Sequence, residues 1–201
     1  MTHTPSDQHV GPAVTFGLLA AWALHDTEEL AALPGWLRRN VPVLRERFPG
    51  VPEAVWRRAE SVDGRQFAAA VGVMAAIVTT ASASGAATGG RSTAYQAALN
   101  GFGLHGLTHL AQAAAVRGYT PGSATSLVLV VPFTLRARAR LRRAGVLRPT
   151  RPRDLALGLG LAGAATVASH VVARRALRGR WRQTRSTPVF EHVQDRRTLV
   201  P

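Results

Sequence analysis

Two short stretches hold most of the side chains able to do chemistry. Residues 25–29 read His-Asp-Thr-Glu-Glu and residues 105–109 read His-Gly-Leu-Thr-His. On a helix His25, Glu28 and Glu29 fall at i, i+3 and i+4 and share one face. Asp26 is turned about 100° away, toward a local helix or solvent contact. His105 and His109 also share a face, and Gln112 continues their stripe. Three imidazoles with one or two carboxylates form a borderline ligand set suited to Zn, Fe or Mn. A His-x-x-Glu spacing on facing helices is also how carboxylate-bridged two-metal sites are built in bundles. The expected metal ligands are therefore His25, Glu28, Glu29, His105 and His109, holding one or two divalent ions. Glu29 is expected to act as a bridging ligand or general base. Thr108 and Gln112 are candidates for orienting the imidazoles. Asn100 lies about 140° around a regular helix from His105, so it joins the site only if Gly101 or Gly103 distorts the helix. His170 has two open readings, one at the site and one near the interface beside Arg174.

The elements that must position these groups are apolar. Five stretches of 18 or more residues lack Asp, Glu, Lys and Arg: 8–25, 66–90, 92–116, 118–135 and 155–173. About 20 apolar residues cross the hydrocarbon core of a bilayer, so the pattern predicts an all-α, polytopic bundle with five spans. These are placed at about 12–30, 66–84, 94–116, 119–135 and 154–173, within a single membrane domain. Arg-rich connectors cover 34–65 and 136–153, and a polar tail follows from 174 to 201. The fourth run is the alternative point: its polar first half and Pro132 also suit a re-entrant segment, leaving four spans. Thr120 and Pro121 read as a helix start, with Thr120 capping. The residues GAATGG supply a small-residue turn after the second span.

All 25 basic residues are arginines, and the net charge is +14. They lie between and after the apolar runs, as membrane-flanking charges do, which argues against nucleic acid as a partner. With the N-terminus outside, the cytoplasmic segments carry sixteen arginines against nine, so the positive-inside rule favours that orientation. The four-span alternative gives the same ratio. Without cysteine there are no disulfides or thiolate ligands. First and third spans run in the same direction, which brings the two polar stripes to one level. His170, near the end of the fifth run, reaches that level only with five spans, and this weighs toward five.

The chain resembles the HXXEE domain proteins, bacterial integral membrane proteins of uncharacterised function. The resemblance rests on His25-Asp26-Thr27-Glu28-Glu29, on Asn100 with His105 and His109, and on Arg117-Gly118-Tyr119-Thr120-Pro121-Gly122. It spans roughly residues 15–135. It implies a multi-pass cell-membrane protein and supports the site residues without naming a substrate. Glutamic intramembrane proteases also pair adjacent glutamates with histidines, but their EExxxR pattern fails here, since Leu33 stands where the arginine belongs.

Ionisable groups at membrane depth cost several kcal/mol unless paired or liganded, so this cluster is read as functional. The leading expectation is a membrane-embedded metal-dependent enzyme, a hydrolase or oxidoreductase, acting on a lipid or other apolar substrate. The alternatives are a non-enzymatic carrier binding a proton or metal ion, and a structural cluster that only holds spans together. A charge relay without metal is a further reading of the same residues.

Overall fold

The structure is a computed structural model that describes residues 10–149, 163–164 and 167–175. Among these the chain is all-α, in the order α1 (Pro12–Arg47), α2 (Glu53–Glu60), α3 (Gly64–Ala87), α4 (Thr93–Val116), α5 (Ser123–Thr125) and α6 (Val131–Arg143). A π-helical turn, Ser126–Val130, joins α5 to α6 without a break. Residues 167–175 are helical. More than half of the fifth apolar run lies outside the described residues, as do residues 1–9 and 176–201.

Local chemistry accounts for most of the boundaries. Pro12 opens α1, where its missing N–H would be unbonded anyway. Asp63 caps α3 by accepting from the Arg65 N–H at 2.8 Å, and Ser92 caps α4 by accepting from Tyr95 at 3.2 Å. Gly89 and Gly90 take positive φ in the turn between α3 and α4. The α5 start differs from expectation. Gly122 is the N-cap, and the Thr120 hydroxyl donates to the His109 carbonyl instead of capping.

The longest departure concerns the first connector. Helix α1 runs for 36 residues, through both Pro34 and Pro42, past the expected end of the first span and into the Arg-rich connector. Each proline removes one i→i−4 hydrogen bond. The carbonyls so deprived, at Leu30 and Arg38, belong to exposed residues, so the helix loses little by leaving them to the surroundings. The second connector behaves similarly: α6 continues to Arg143.

Four helical stretches pack side by side. Tyr95 Oη donates to the Val14 carbonyl, His25 meets His105 and His109, and Arg47 donates to the Val116 carbonyl. These contacts advance together along both chains, so α1 and α4 run in the same direction. The α5–α6 stretch runs against α4. A Cβ at Gly106 would lie 2.7 Å from Val130, and one at Gly103 would lie 2.7 Å from Thr134, so the glycines permit this close approach. Leu18, Trp22, Tyr95, Leu99, Phe102, Val130 and Leu141 form the core of the bundle. Gln96 ties the end, donating to the Gly90 and Val146 carbonyls and accepting from the Arg148 N–H.

Among the described residues α3 is the one helix long and apolar enough to cross a membrane, with mean hydropathy 1.7 over 18 residues. Helix α1 fails that test because Asp26, Glu28 and Glu29 enter every early window. Helix α4 is diluted by Asn100, His105, His109 and Gln112.

Candidate metal centre

Helix α1 presents His25 and Glu29 one turn apart, and α4 presents His105 and His109 one turn apart, on facing sides. One ligand atom from each of the four lies within 4.8 Å of all the others. His109 Nε2 is 3.3 Å from Glu29 Oε1, while His25 Nε2 and His105 Nε2 are each 3.8 Å from Glu29 Oε2. The Nε2 atoms of His105 and His109 are 3.0 Å apart. Four ligands at about 2.0–2.2 Å from one tetrahedral ion stand about 3.3–3.6 Å from each other. The measured spacings, from 3.0 to 3.8 Å, bracket that range. Glu29 is the carboxylate shared by all three imidazoles.

Burial separates the ligands. His25 is fully buried, Glu29 retains 12% of its side-chain exposure, and His105 retains 48%. The site is therefore closed on the α1 side and open at His105. His25 Nε2 is buried and has no hydrogen-bond partner. Such an atom is costly to leave bare, and it points toward Glu29.

The other His25 nitrogen is held by a residue that the helix periodicity did not single out. Thr125 Oγ1 donates to Glu28 Oε2 at 2.5 Å and lies 2.8 Å from His25 Nδ1. Because that hydroxyl hydrogen is committed to the carboxylate, the hydroxyl must accept from His25 Nδ1–H. The network thus assigns the tautomer, leaving the Nε2 lone pair directed into the cluster. Glu28 is itself fixed by the Tyr119 hydroxyl at 2.8 Å, the Gly122 N–H at 3.1 Å and the Thr125 N–H at 2.8 Å. The last two donors are free N–H groups at the start of α5, where a carboxylate is also favoured by the helix dipole.

Gly122 completes the enclosure. Its φ is +83°, and a Cβ there would lie 2.7 Å from His109 Cε1 and Nδ1 and 3.0 Å from His25 Cε1. Only glycine meets both the left-handed backbone and the ring contact.

The residues that converge come from the stretch around His25–Glu29, from His105 and His109, and from the Tyr119–Thr125 segment. The family model described as "Protein of unknown function with HXXEE motif" matches residues 16–137, which includes all of them. The chain belongs to this family. No curated protein and no solved structure matches it. In the HXXEE motif of this chain the two glutamates divide the work: Glu29 faces the imidazoles, and Glu28 faces the loop that holds His25.

Four of the five expected ligands are therefore brought together, and Glu28 is not among them. Its carboxylate is engaged by four donors instead. Asp26 is buried, although a solvent contact was one of its expected roles. Asn100 accepts from Arg138 of α6 and stays away from the imidazoles, because α4 is a continuous helix through Gly101 and Gly103. The Thr108 hydroxyl bonds back to the Leu104 carbonyl of its own helix and orients no imidazole. Gln112 is exposed and lines a neighbouring cleft. His170 stacks on Phe67, with ring centroids 6.4 Å apart, near Arg58 and Arg174 and apart from the cluster. Its position consequently lends no weight to five spans over four.

The neighbouring cleft has a volume of about 420 Å³. Glu29 and His109 stand in its wall, and Leu33, Trp36, Leu37, Phe48, Ala115 and Val116 supply an apolar lining. Trp36 Nε1 donates to the Tyr119 carbonyl at 2.9 Å, linking α1 to the loop beside the cleft.

Proposed function

We propose that this HXXEE protein is a membrane-embedded, metal-dependent enzyme acting on a lipid or other apolar substrate. One divalent ion, Zn, Fe or Mn, is held by His25, Glu29, His105 and His109. The observation that carries the reading is the buried His25 Nε2, without a hydrogen-bond partner, tautomerically set and converging with two other imidazoles and a carboxylate. At 3.8 Å the Glu29 carboxylate is too far from that nitrogen for the hydrogen bond a charge relay needs, whereas a metal ion between them would satisfy both. The ion would act as a Lewis acid or activate water, and Glu29 is the group positioned to hold it and to accept a proton.

Two observations support the membrane and substrate parts. Only 22% of the most apolar window of α3 is buried, unlike the core helix of a water-soluble bundle. Leu24, Ile77, Leu107, Leu127 and Val128 are likewise exposed, and large apolar side chains left uncovered on several helices suit lipid. We read the chain as multi-pass, with the N-terminus outside. The apolar cleft falls in the usual size range of small-molecule sites, about 300–1,000 Å³, and reaches two of the ligands.

The test is turnover. Protein in proteoliposomes made from a bacterial lipid extract is loaded with each metal in turn, and the lipids are followed by mass spectrometry. A metal-dependent change in one lipid class, lost in His105→Ala, is the expected result. Metal-loaded protein that alters no lipid, but moves the ion across the bilayer, would replace the enzyme reading with a carrier.

A further inference from the structure

A second cavity, of about 120 Å³, lies at the N-terminal end of α3, apart from the metal cluster. Arg58, Ser61, Gln66, Phe67, His170 and Arg174 line it, and Asp63 adds one carboxylate. Asp63 is already occupied with capping, since its Oδ1 accepts from the Arg65 N–H. Among the described residues neither the Arg58 nor the Arg174 guanidinium has an ion-pair or hydrogen-bond partner. The His170 ring is set by its stacking on Phe67 at 19° between planes, and its Nδ1 is buried with no partner.

Three groups able to donate to an anion thus surround a space with one committed acid. Two guanidiniums lining one small cavity repel, and a bound oxyanion removes that repulsion. Their planar forks match phosphate oxygens in a bidentate manner. The positive end of α3 adds to the same field. Size restricts the ligand further: drug-sized molecules need roughly 300 Å³ or more, whereas this cavity admits a single tetrahedral group.

We propose that this cavity is a phosphate-binding site, with Arg58 and Arg174 clamping the oxyanion and His170 donating a third hydrogen bond. The phosphate comes either from a lipid headgroup or from solution. The first source rests on reading α3 as a membrane span, because its N-terminal end would then lie at headgroup level. The second does not depend on that reading, and neither source depends on the metal.

The experiment compares wild-type protein with Arg58→Gln/Arg174→Gln and with Arg174→Gln alone. Each is reconstituted in nanodiscs of phosphatidylglycerol or phosphatidylcholine and released into native mass spectrometry. The same samples are titrated with inorganic phosphate and followed by ³¹P NMR, while circular dichroism checks the helices. Retention of phosphatidylglycerol by the wild type, reduced about tenfold or more in the folded variants, supports a lipid phosphate. Saturable binding of inorganic phosphate with the same loss supports a solution phosphate. If the double variant fails to fold, Arg174→Gln carries the comparison. Equal retention and equal phosphate binding in wild type and folded variant would overturn the site.

Discussion

Replacing Thr125 with valine keeps the side-chain volume and removes one hydroxyl. That hydroxyl accepts from His25 Nδ1–H at 2.8 Å and donates to Glu28 Oε2 at 2.5 Å. In the variant a fully buried imidazole loses its one hydrogen bond among the described residues, and its tautomer is no longer imposed. Glu28 retains the Tyr119 hydroxyl and the Gly122 and Thr125 N–H groups, so the α5 start should remain folded. The loss therefore falls on metal affinity. Removing an outer hydrogen bond to a metal-bound histidine weakens binding by about 10–100-fold, or about 1.4–2.8 kcal/mol. The assay is a competition titration of Zn²⁺ against a chelator of known affinity, run on wild type, Thr125→Val and Thr125→Ser. Serine restores the hydroxyl and should recover most of the affinity. Nitrogen-15 NMR of labelled histidine should show one fixed His25 tautomer in the wild type and a mixture in the valine variant. Wild-type affinity in a folded Thr125→Val protein would refute the proposed relay from Glu28 through Thr125 to His25.

Other substitutions probe the same framework. Gly122→Ala places a Cβ against the His109 and His25 rings at a φ of +83°; the backbone term alone is about 1–3 kcal/mol, so thermal denaturation should shift down and metal binding should weaken together. Gly103→Ala drives a Cβ to 2.7 Å from Thr134 and should destabilise by about 1–3 kcal/mol in denaturation, with metal stoichiometry kept in the folded fraction. Gln96→Ala strands the Gly90 and Val146 carbonyls and the Arg148 N–H, which should lower stability by about 1–3 kcal/mol and leave the metal site intact.

The pairing of His25 and Glu29 with His105 and His109 was legible because i, i+4 spacing fixes a helix face whatever the tertiary fold. The shared direction of α1 and α4 followed from counting apolar runs. The division between Glu28 and Glu29 was not legible. Both lie on the face of His25, and only the N–H groups of a loop nearly a hundred residues later draw Glu28 aside. Thr125 carried no signal of its own within a run of small residues, and the Arg117–Gly122 motif that carries the resemblance ends three residues before it. The extent of α1 was missed because proline is a weak stop signal when the carbonyl it deprives is exposed. Asn100 was placed by angle correctly off the imidazole face, but its arginine partner lies on α6, beyond the reach of spacing arguments.

The central claim is that His25, Glu29, His105 and His109 bind a metal ion. The most direct measurement is metal content with X-ray absorption on purified protein, stripped and then reconstituted with Zn, Fe or Mn. The expected result is about one ion per chain, with three imidazole nitrogens and carboxylate oxygen at about 2.0–2.2 Å, and loss of the ion in His25→Ala and His105→Ala. Folded wild-type protein that retains none of these metals after reconstitution would contradict the account.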